Sequence, residues 1–173
     1  MLDKIFPKKF KLPPTRAQAM VEFAIVLPIL LVLIMGIIEV GRMIFVYAAT
    51  TNASREAARF GSAIGFDDTT YYPKYQYCSG IRTAAKKYGF LLNLQDSNIA
   101  IAYDQGPSSS PVTTKCAAGM TNDPTVAITM GKDRIVITVT KSYTPLTKLL
   151  PIPSRNFVST TARTIAGNIN VDH

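Results

Sequence analysis

The feature that most constrains this chain is an apolar run near its amino terminus. Residues 23–38 are sixteen consecutive residues without a charge, which corresponds to roughly 24 Å of α-helix. A bilayer core requires about 20 apolar residues, with about 17 as the lower limit. The run reaches that length only when residues 17–38 are counted, and this longer range includes Glu22. The sequence therefore predicts a membrane-compatible helix with a carboxylate near its apolar start.

Glu22 has two interpretations. A carboxylate within a membrane segment costs a few kcal/mol, and by default it is treated as functional and paired with a partner. In the simpler interpretation, Glu22 lies at the membrane interface and marks the end of the span. In the other, it meets a positive charge inside an assembly, and an α-amino group produced by cleavage a few residues upstream is a candidate partner.

The charges that flank the run predict its orientation. The first sixteen residues carry five basic side chains and one acidic side chain, and positively charged flanks stay on the cytoplasmic side. We therefore expect a single-pass protein of the cell membrane with a cytoplasmic N-terminus and an extracytoplasmic C-terminal domain. A secretory signal peptide begins in a similar way. Retention is favoured because more helix, and no clear cleavage site, follows the run.

The helix is predicted to continue well beyond the apolar run. Glu39 and Arg42 are spaced three residues apart, so they can form an ion pair on one helix face. An alanine-rich stretch with high helix propensity follows, and Gly61 and Gly65 are predicted to end the helix. The outer half of such a helix projects from the membrane, where it can pack on its own domain or on other subunits.

Several motifs along this helix together resemble one family. They are the basic leader, the VEFA motif at 21–24, the V-L-P motif at 26–28, the G-x-x-E-x-G-R pattern at 36–42 and the ASREAAR segment at 53–59. The combination resembles the TadE-like minor pilins, or pseudopilins, of tight-adherence (Flp-type) pilus systems. The resemblance is strong over residues 16–61 and loose elsewhere.

The resemblance implies a prepilin-type leader that a prepilin peptidase cuts on the cytoplasmic side, leaving glutamate as the fifth mature residue. Counting back from Glu22 places the cut between Ala17 and Gln18, where the family usually has glycine before the cut. Glu22, Phe23 and Pro28 would then serve assembly. Pro28, which lacks a backbone donor, would let the helix bend on leaving the bilayer, although a mild kink is the simpler interpretation.

The resemblance also implies a set of partners. These are other pilin-like subunits bound through the N-terminal helix, the prepilin peptidase, the inner-membrane pilus assembly platform and membrane lipid. After processing, the protein would be located in a surface pilus.

Residues 66–173 are numerous enough to bury a core of their own. Residues 66–78 are predicted to be a loop whose four tyrosines form a contact surface or pack at the junction between helix and domain. Periodicity then predicts the following elements: a helix at 79–88, a strand at 98–103, an exposed loop at 104–119, a hairpin at 126–139 that turns at 131–133, and a long final strand at 157–171 with a bulge near Gly167.

Cys78 and Cys116 are the only cysteines. Their spacing matches no metal or redox motif, and an extracytoplasmic compartment permits a disulfide between them. The alternative is two buried free thiols. A Cys78–Cys116 bridge would stabilise the domain by roughly 3–4 kcal/mol.

The chain shows no sign of catalysis or of nucleic-acid binding. The net charge is +8, but about half of it lies in the leader and the remaining basic residues are scattered, which argues against a nucleic-acid partner. The single histidine is His173, and there is no phosphate loop, metal-ligand cluster or suggestive carboxylate pair. We therefore expect no enzyme activity, no cofactor and no metal.

Together these patterns predict an α+β protein in three parts. Residues 1–17 form a basic cytoplasmic leader, residues 18–65 a long pilin-type helix that spans the membrane in its first half, and residues 66–173 an extracytoplasmic domain with one helix on an antiparallel sheet of about four strands. The predicted function is a pilin-like structural subunit. The alternative is a permanently anchored single-pass protein whose outer domain binds a ligand or mediates adhesion.

Overall fold

The computed structural model describes residues 14–66, 71–107, 112–147 and 152–166. One long helix, α1, spans Pro14–Ser62 and contains 49 residues. It begins slightly before the predicted boundary, because Pro14 and Thr15, assigned to the leader from the sequence, form its first turn. Proline is favoured at the first helical position, where its missing N–H would have no helical partner. The secondary structure is continuous through Pro28.

A second helix and a four-stranded sheet follow α1. Helix α2 spans Cys78–Tyr88, which confirms the predicted helix at 79–88. The strands are β1 at Ile99–Asp104, β2 at Val112–Lys115, β3 at Arg134–Tyr143 and β4 at Arg155–Thr164. Short 3-10 segments lie at Lys74–Gln76, Phe90–Leu92 and Asp96–Asn98. The predicted α+β class is therefore confirmed.

The sheet has the order β2-β1-β3-β4, and all of its pairings are antiparallel. Its central register aligns Ile101 with Ile137, and Ile137 with Thr161 on the other side. Side chains alternate along β3, so that Ile135, Ile137 and Val139 are all fully buried. These residues face α1 and form the centre of the core.

Small side chains on the outer half of α1 allow the sheet to approach closely. Ala53, Ala57 and Ala58 are fully buried. A Cβ atom added at Gly61 would lie only 2.4 Å from Ile135 Cδ1, so any larger residue there would force the Ile135 side chain to move. Gly61 therefore lies inside the helix as a packing residue, one position before its end, and not beyond it as a cap.

The predicted hairpin at 126–139 is wrong in its first strand. Residues 126–129 are not a strand, because their backbone groups are bound by other partners. Val126 N donates to Asp123 O at 3.3 Å, and Thr129 N donates to the Asp133 carboxylate at 2.6 Å. The fourth strand is instead β2, which lies within the predicted loop at 104–119.

The final strand is shorter than predicted. β4 ends at Thr164, whereas the sequence analysis extended it to residue 171. The partner strand β3 begins at Arg134, which pairs with Thr164, so Ile165 lies beside the turn that precedes β3. Its N–H donates to Asp133 O and its carbonyl accepts from Gly131 N, at 3.0 and 3.1 Å. The predicted bulge near Gly167 and the predicted leader before Pro14 lie outside the described residues.

Candidate functional site

The first half of α1 exposes an unusual amount of apolar surface. Large side chains from Met20 to Val40 are exposed, among them Phe23 at 65% and Ile37 at 73%. The most apolar window of the segment Gln18–Ser62 has a mean hydropathy of 2.8, and none of it is buried in the protein. By length and composition this helix is long and apolar enough to cross a membrane, which suggests a membrane anchor.

The inner end of this surface carries the predicted processing and assembly residues. The peptide bond between Ala17 and Gln18 lies in the first turn of α1. Gln18 Nε2 donates to Glu22 Oε1 at 3.4 Å, and the Glu22 side chain is exposed. Residues 18 and 22 are thus neighbours on one helix face, as their spacing of one turn requires.

The outer end of the surface is a polar junction between α1 and the domain. Glu39 is only 3% exposed, and its carboxylate accepts hydrogen bonds from Leu146 N and from Arg42 Nη1, the latter at 3.4 Å. Arg42 Nη2 donates to Thr144 O at 3.0 Å, and the Arg42 guanidinium lies 5.0 Å from the centre of the Tyr143 ring. The structure therefore contains the predicted ion pair, and the pair also binds residues 144–146.

No sequence pattern predicted this second role of Glu39 and Arg42. Tyr143 donates its hydroxyl to Glu39 O at 3.3 Å, a contact between residues 104 positions apart. Burial raises the pKa of the Tyr143 phenol, and the adjacent Glu39 carboxylate adds to the effect. Helical spacing predicts neighbours on the same helix and cannot predict what packs against that face.

The two charged ends are separated by the thickness of a bilayer core. Glu22 and Arg42 are twenty residues apart along α1, which corresponds to about 30 Å of helix and matches the hydrocarbon thickness of a typical membrane. In a helix that crosses a bilayer over this length, the junction at Glu39 and Arg42 lies at the membrane boundary on the side of the domain.

A disulfide joins Cys78, the first residue of α2, to Cys116, the residue after β2, with a Cα–Cα distance of 5.5 Å. Two residues not identified from the sequence support it. Arg82 donates to the carbonyls of Cys116 and Met120, and Asp123 accepts the Cys116 N–H at 3.0 Å. That hydrogen bond, with those from Thr125, keeps the pKa of Asp123 below its usual value.

The tyrosines of residues 71–77 differ in their surroundings. Tyr71 is 82% exposed and available for contact. Tyr75 accepts a hydrogen bond from the Tyr103 hydroxyl through its carbonyl, and the Tyr77 ring lies 6.4 Å from the Phe60 ring on α1. Tyr75 and Tyr77 thus pack at the junction between helix and domain.

A cavity of about 390 Å³ lies at the far end of α1, between α1 and α2. Its walls include three basic side chains and one acidic one, Arg59, Lys74, Lys87 and Glu56. The Arg59 guanidinium pairs with Glu56 at 2.7 Å. Within the described residues, no cluster of three or more His, Cys, Asp or Glu side chains is placed to hold a metal ion.

These features define a class of membrane-anchored protein in which one N-terminal helix serves both as the membrane segment and as the spine of a small α+β domain. Comparison with known families agrees: residues 17–59 match the family model described as TadE-like protein, which confirms the resemblance found in the sequence. The match, which lies entirely within α1, suggests a Tad pilus-associated protein with an N-terminal membrane helix. No curated protein and no solved structure is significantly similar to the chain.

Proposed function

We propose that this protein is a pilin-like structural subunit of a tight-adherence (Flp-type) pilus or a related secretion apparatus. It enters the membrane with its N-terminus in the cytoplasm, a prepilin peptidase cuts between Ala17 and Gln18, and the helix then joins other pilin-like subunits. The domain of residues 66–173 forms the outer surface of the assembly.

The observation that carries this proposal is that the family match and the bare apolar surface coincide. The match covers residues 17–59, and the first half of this range exposes large apolar side chains along some 30 Å of helix. Such a surface is shielded from water only when it lies in lipid or packs against other apolar helices. The protein's own domain leaves this surface uncovered, as expected for a helix that is surrounded first by lipid and then by the helices of other subunits.

Glu22 is the proposed recognition group between subunits. Cleavage before Gln18 creates an α-amino group one helical turn from Glu22, on the same helix face. A neighbouring subunit shifted along the filament axis brings its own amino group to this carboxylate. In an apolar surround such a pair is strongly favoured over either charge alone.

The first test measures the amino terminus of the protein isolated from cells that contain its own prepilin peptidase. Intact mass spectrometry should find a chain that begins at Gln18. A chain that begins at Met1 under these conditions would contradict processing, and one that begins beyond residue 45 would indicate release by signal peptidase.

The second test compares two glutamates on the same helix. Glu22→Gln should insert in the membrane at the normal level but fail to enter pili or to co-purify with other subunits. Glu56→Gln is the matched control, because Glu56 lies on the outer half and pairs with Arg59. Normal assembly of the Glu22 variant would refute the pairing role.

A second candidate function is a permanently anchored protein that binds a ligand through its outer domain. The cavity between α1 and α2 supports it, since its volume of about 390 Å³ falls within the range of small-molecule sites. Its basic walls suit an anionic ligand. This candidate requires an uncut chain, so the same mass measurement separates the two.

A further inference from the structure

An open apolar groove of about 660 Å³ lies on α1 in the half of the span nearest the domain. Most of its lining comes from the helix, namely Val32, Leu33, Ile37, Val40 and Ile44. Gly36 and Gly41 also line it, and they leave space because they have no side chains. A Cβ atom added at Gly41 would meet nothing within 4 Å, so the groove is open there.

The domain contributes one wall of this groove. Ile152, from the segment between β3 and β4, lines the groove together with span residues as deep as Val32. The same segment is held beside the helix at its start, where Leu146 N donates to the Glu39 carboxylate. Leu146 nevertheless exposes 66% of its side chain. Part of the domain therefore lies alongside the membrane helix rather than beyond its end.

The position of the groove indicates its occupant. Its helical wall is continuous with the exposed apolar surface of the span, so the medium that surrounds Ile37, which is 73% exposed, also reaches the groove. Lipid chains fill that medium and pack against apolar side chains. No polar side chain lines the groove among the described residues, so water has few partners there.

Charges at the rim suit a phospholipid headgroup. Arg42 follows Gly41 in the helix; it pairs with Glu39 but keeps 34% of its side chain exposed. Arg155 begins β4, three residues after Ile152, and is exposed. Cationic side chains at the membrane boundary attract the phosphate groups of lipids. The groove thus has apolar walls at acyl-chain depth and positive charges at headgroup depth.

We propose that this groove binds an acyl chain of a phospholipid in the leaflet on the domain's side, which seats the domain on the membrane through Leu146 and Ile152. The proposal requires that α1 spans a membrane, but it does not depend on the pilus role. In the proposed life cycle, leaving the membrane would include release of this lipid.

The chain contains no tryptophan, so a single introduced tryptophan reports its own surroundings. Full-length Ile152→Trp would be placed in nanodiscs of phosphatidylethanolamine and phosphatidylglycerol with brominated acyl chains, which quench tryptophan fluorescence on contact. Ile37→Trp, on the exposed span, should be strongly quenched and confirms insertion. Tyr88→Trp, on α2 at the far end of α1, should not be quenched.

Ile152→Trp should be quenched nearly as strongly as Ile37→Trp. Leu146→Trp, at an exposed position that tolerates a larger side chain, should repeat the result if Ile152→Trp disturbs packing. If both remain unquenched while Ile37→Trp is quenched, the proposal is overturned although the membrane anchor stands. A blue-shifted but unquenched signal that requires chain association would mean that a second copy fills the groove, which also overturns it.

A groove-filling variant tests the site itself. Gly41→Leu, added to Ile152→Trp, places a side chain in the open groove, where its Cβ atom would meet nothing within 4 Å. It should lower the quenching by about half, because the acyl chain loses its space. Ile38→Phe adds bulk at the same depth at a position that does not line the groove, and it should leave quenching unchanged. Equal quenching in both variants would refute occupancy of the groove.

Discussion

The two halves of α1 have opposite surfaces although they belong to one continuous helix. The inner half exposes large apolar side chains such as Phe23 and Ile37. The outer half buries small ones, Ala53, Ala57 and Ala58, beneath the sheet. Side-chain size therefore distinguishes the half that packs on its own domain from the half whose apolar surface is left for lipid or for other subunits.

Polar groups follow the same division. On the outer half, Ser54 is fully buried, and its hydroxyl is 2.9 Å from the hydroxyls of both Ser159 and Thr161 on β4. On the inner half, Glu22 is exposed and has one hydrogen bond within the described residues, from Gln18. The buried hydroxyl on the outer half has its hydrogen-bond partners within the chain, whereas the carboxylate on the inner half is accessible to an external partner.

The largest expected effect comes from removing the Cys78–Cys116 disulfide, which lies in the domain that packs on the outer half of α1. Cys78→Ala/Cys116→Ala should lose about 4 kcal/mol of unfolding free energy, since the bond closes a long loop in the unfolded chain. Urea unfolding of the full chain in detergent measures this loss. Membrane insertion should be normal, because the inner half makes no use of the bond. An unchanged unfolding midpoint would show that the domain is stable without it.

Identical substitutions on the two halves test the comparison directly. Ala57→Leu inserts a larger side chain where the alanine is fully buried and should cost about 1–3 kcal/mol of unfolding free energy through overpacking. Ala24→Leu, at an exposed position of the span, should leave domain unfolding unchanged. Both variants are compared by the same urea titration. Equal effects would mean that the inner half is also packed against the domain.

The sequence predicted the elements whose signals are local. The run at 23–38, the helical spacing at 79–88 and the alternation of Ile135, Ile137 and Val139 each follow from side-chain period alone. The family motifs also lie within one helix, so they can be recognised without knowledge of the fold. The position of this helix and its membrane-compatible character could therefore be predicted from the sequence alone.

The wrong prediction of a strand at 126–129 came from local contacts that replace strand pairing. Val126 and Ile128 alternate like a strand, but Val126 N donates to the backbone carbonyl of Asp123 and Thr129 N donates to the Asp133 carboxylate. The real edge strand, Val112–Lys115, is short and lies in a region rich in Ser, Pro and Thr. Its pairing with β1 depends on tertiary contacts that composition does not encode.

A smaller effect is expected at the ion pair between β1 and β3. The Asp104 carboxylate accepts two hydrogen bonds of 2.7 Å from the Arg134 guanidinium, and these keep the pKa of Asp104 below its ordinary value. Asp104→Asn should cost about 1 kcal/mol of unfolding free energy near neutral pH, a figure reduced by partial exposure to solvent.

The pH dependence of this contribution has a definite sign. Because the folded pKa of Asp104 is lowered, its contribution is complete above the unfolded value of about 3.9 and disappears as the pH falls through the lower folded value. The difference in unfolding free energy between wild type and Asp104→Asn should therefore shrink below about pH 4. Subtraction removes the parallel effects of Asp96 and Asp123. A difference that stays constant down to about pH 2 would contradict the ion pair.

The smallest expected effect lies at the boundary between the two halves. Glu39→Gln keeps the shape of the side chain but removes the charge that accepts the Leu146 N–H, and a neutral acceptor forms a weaker hydrogen bond. The Leu146 amide should exchange with solvent about tenfold faster, a local opening that leaves global unfolding almost unchanged. Hydrogen exchange measured by mass spectrometry on the full chain checks this, with Glu56→Gln as the control on the outer half. If exchange at Leu146 does not change, the junction is held by Arg42 and Tyr143 instead, and the boundary between the two surfaces does not depend on the buried carboxylate.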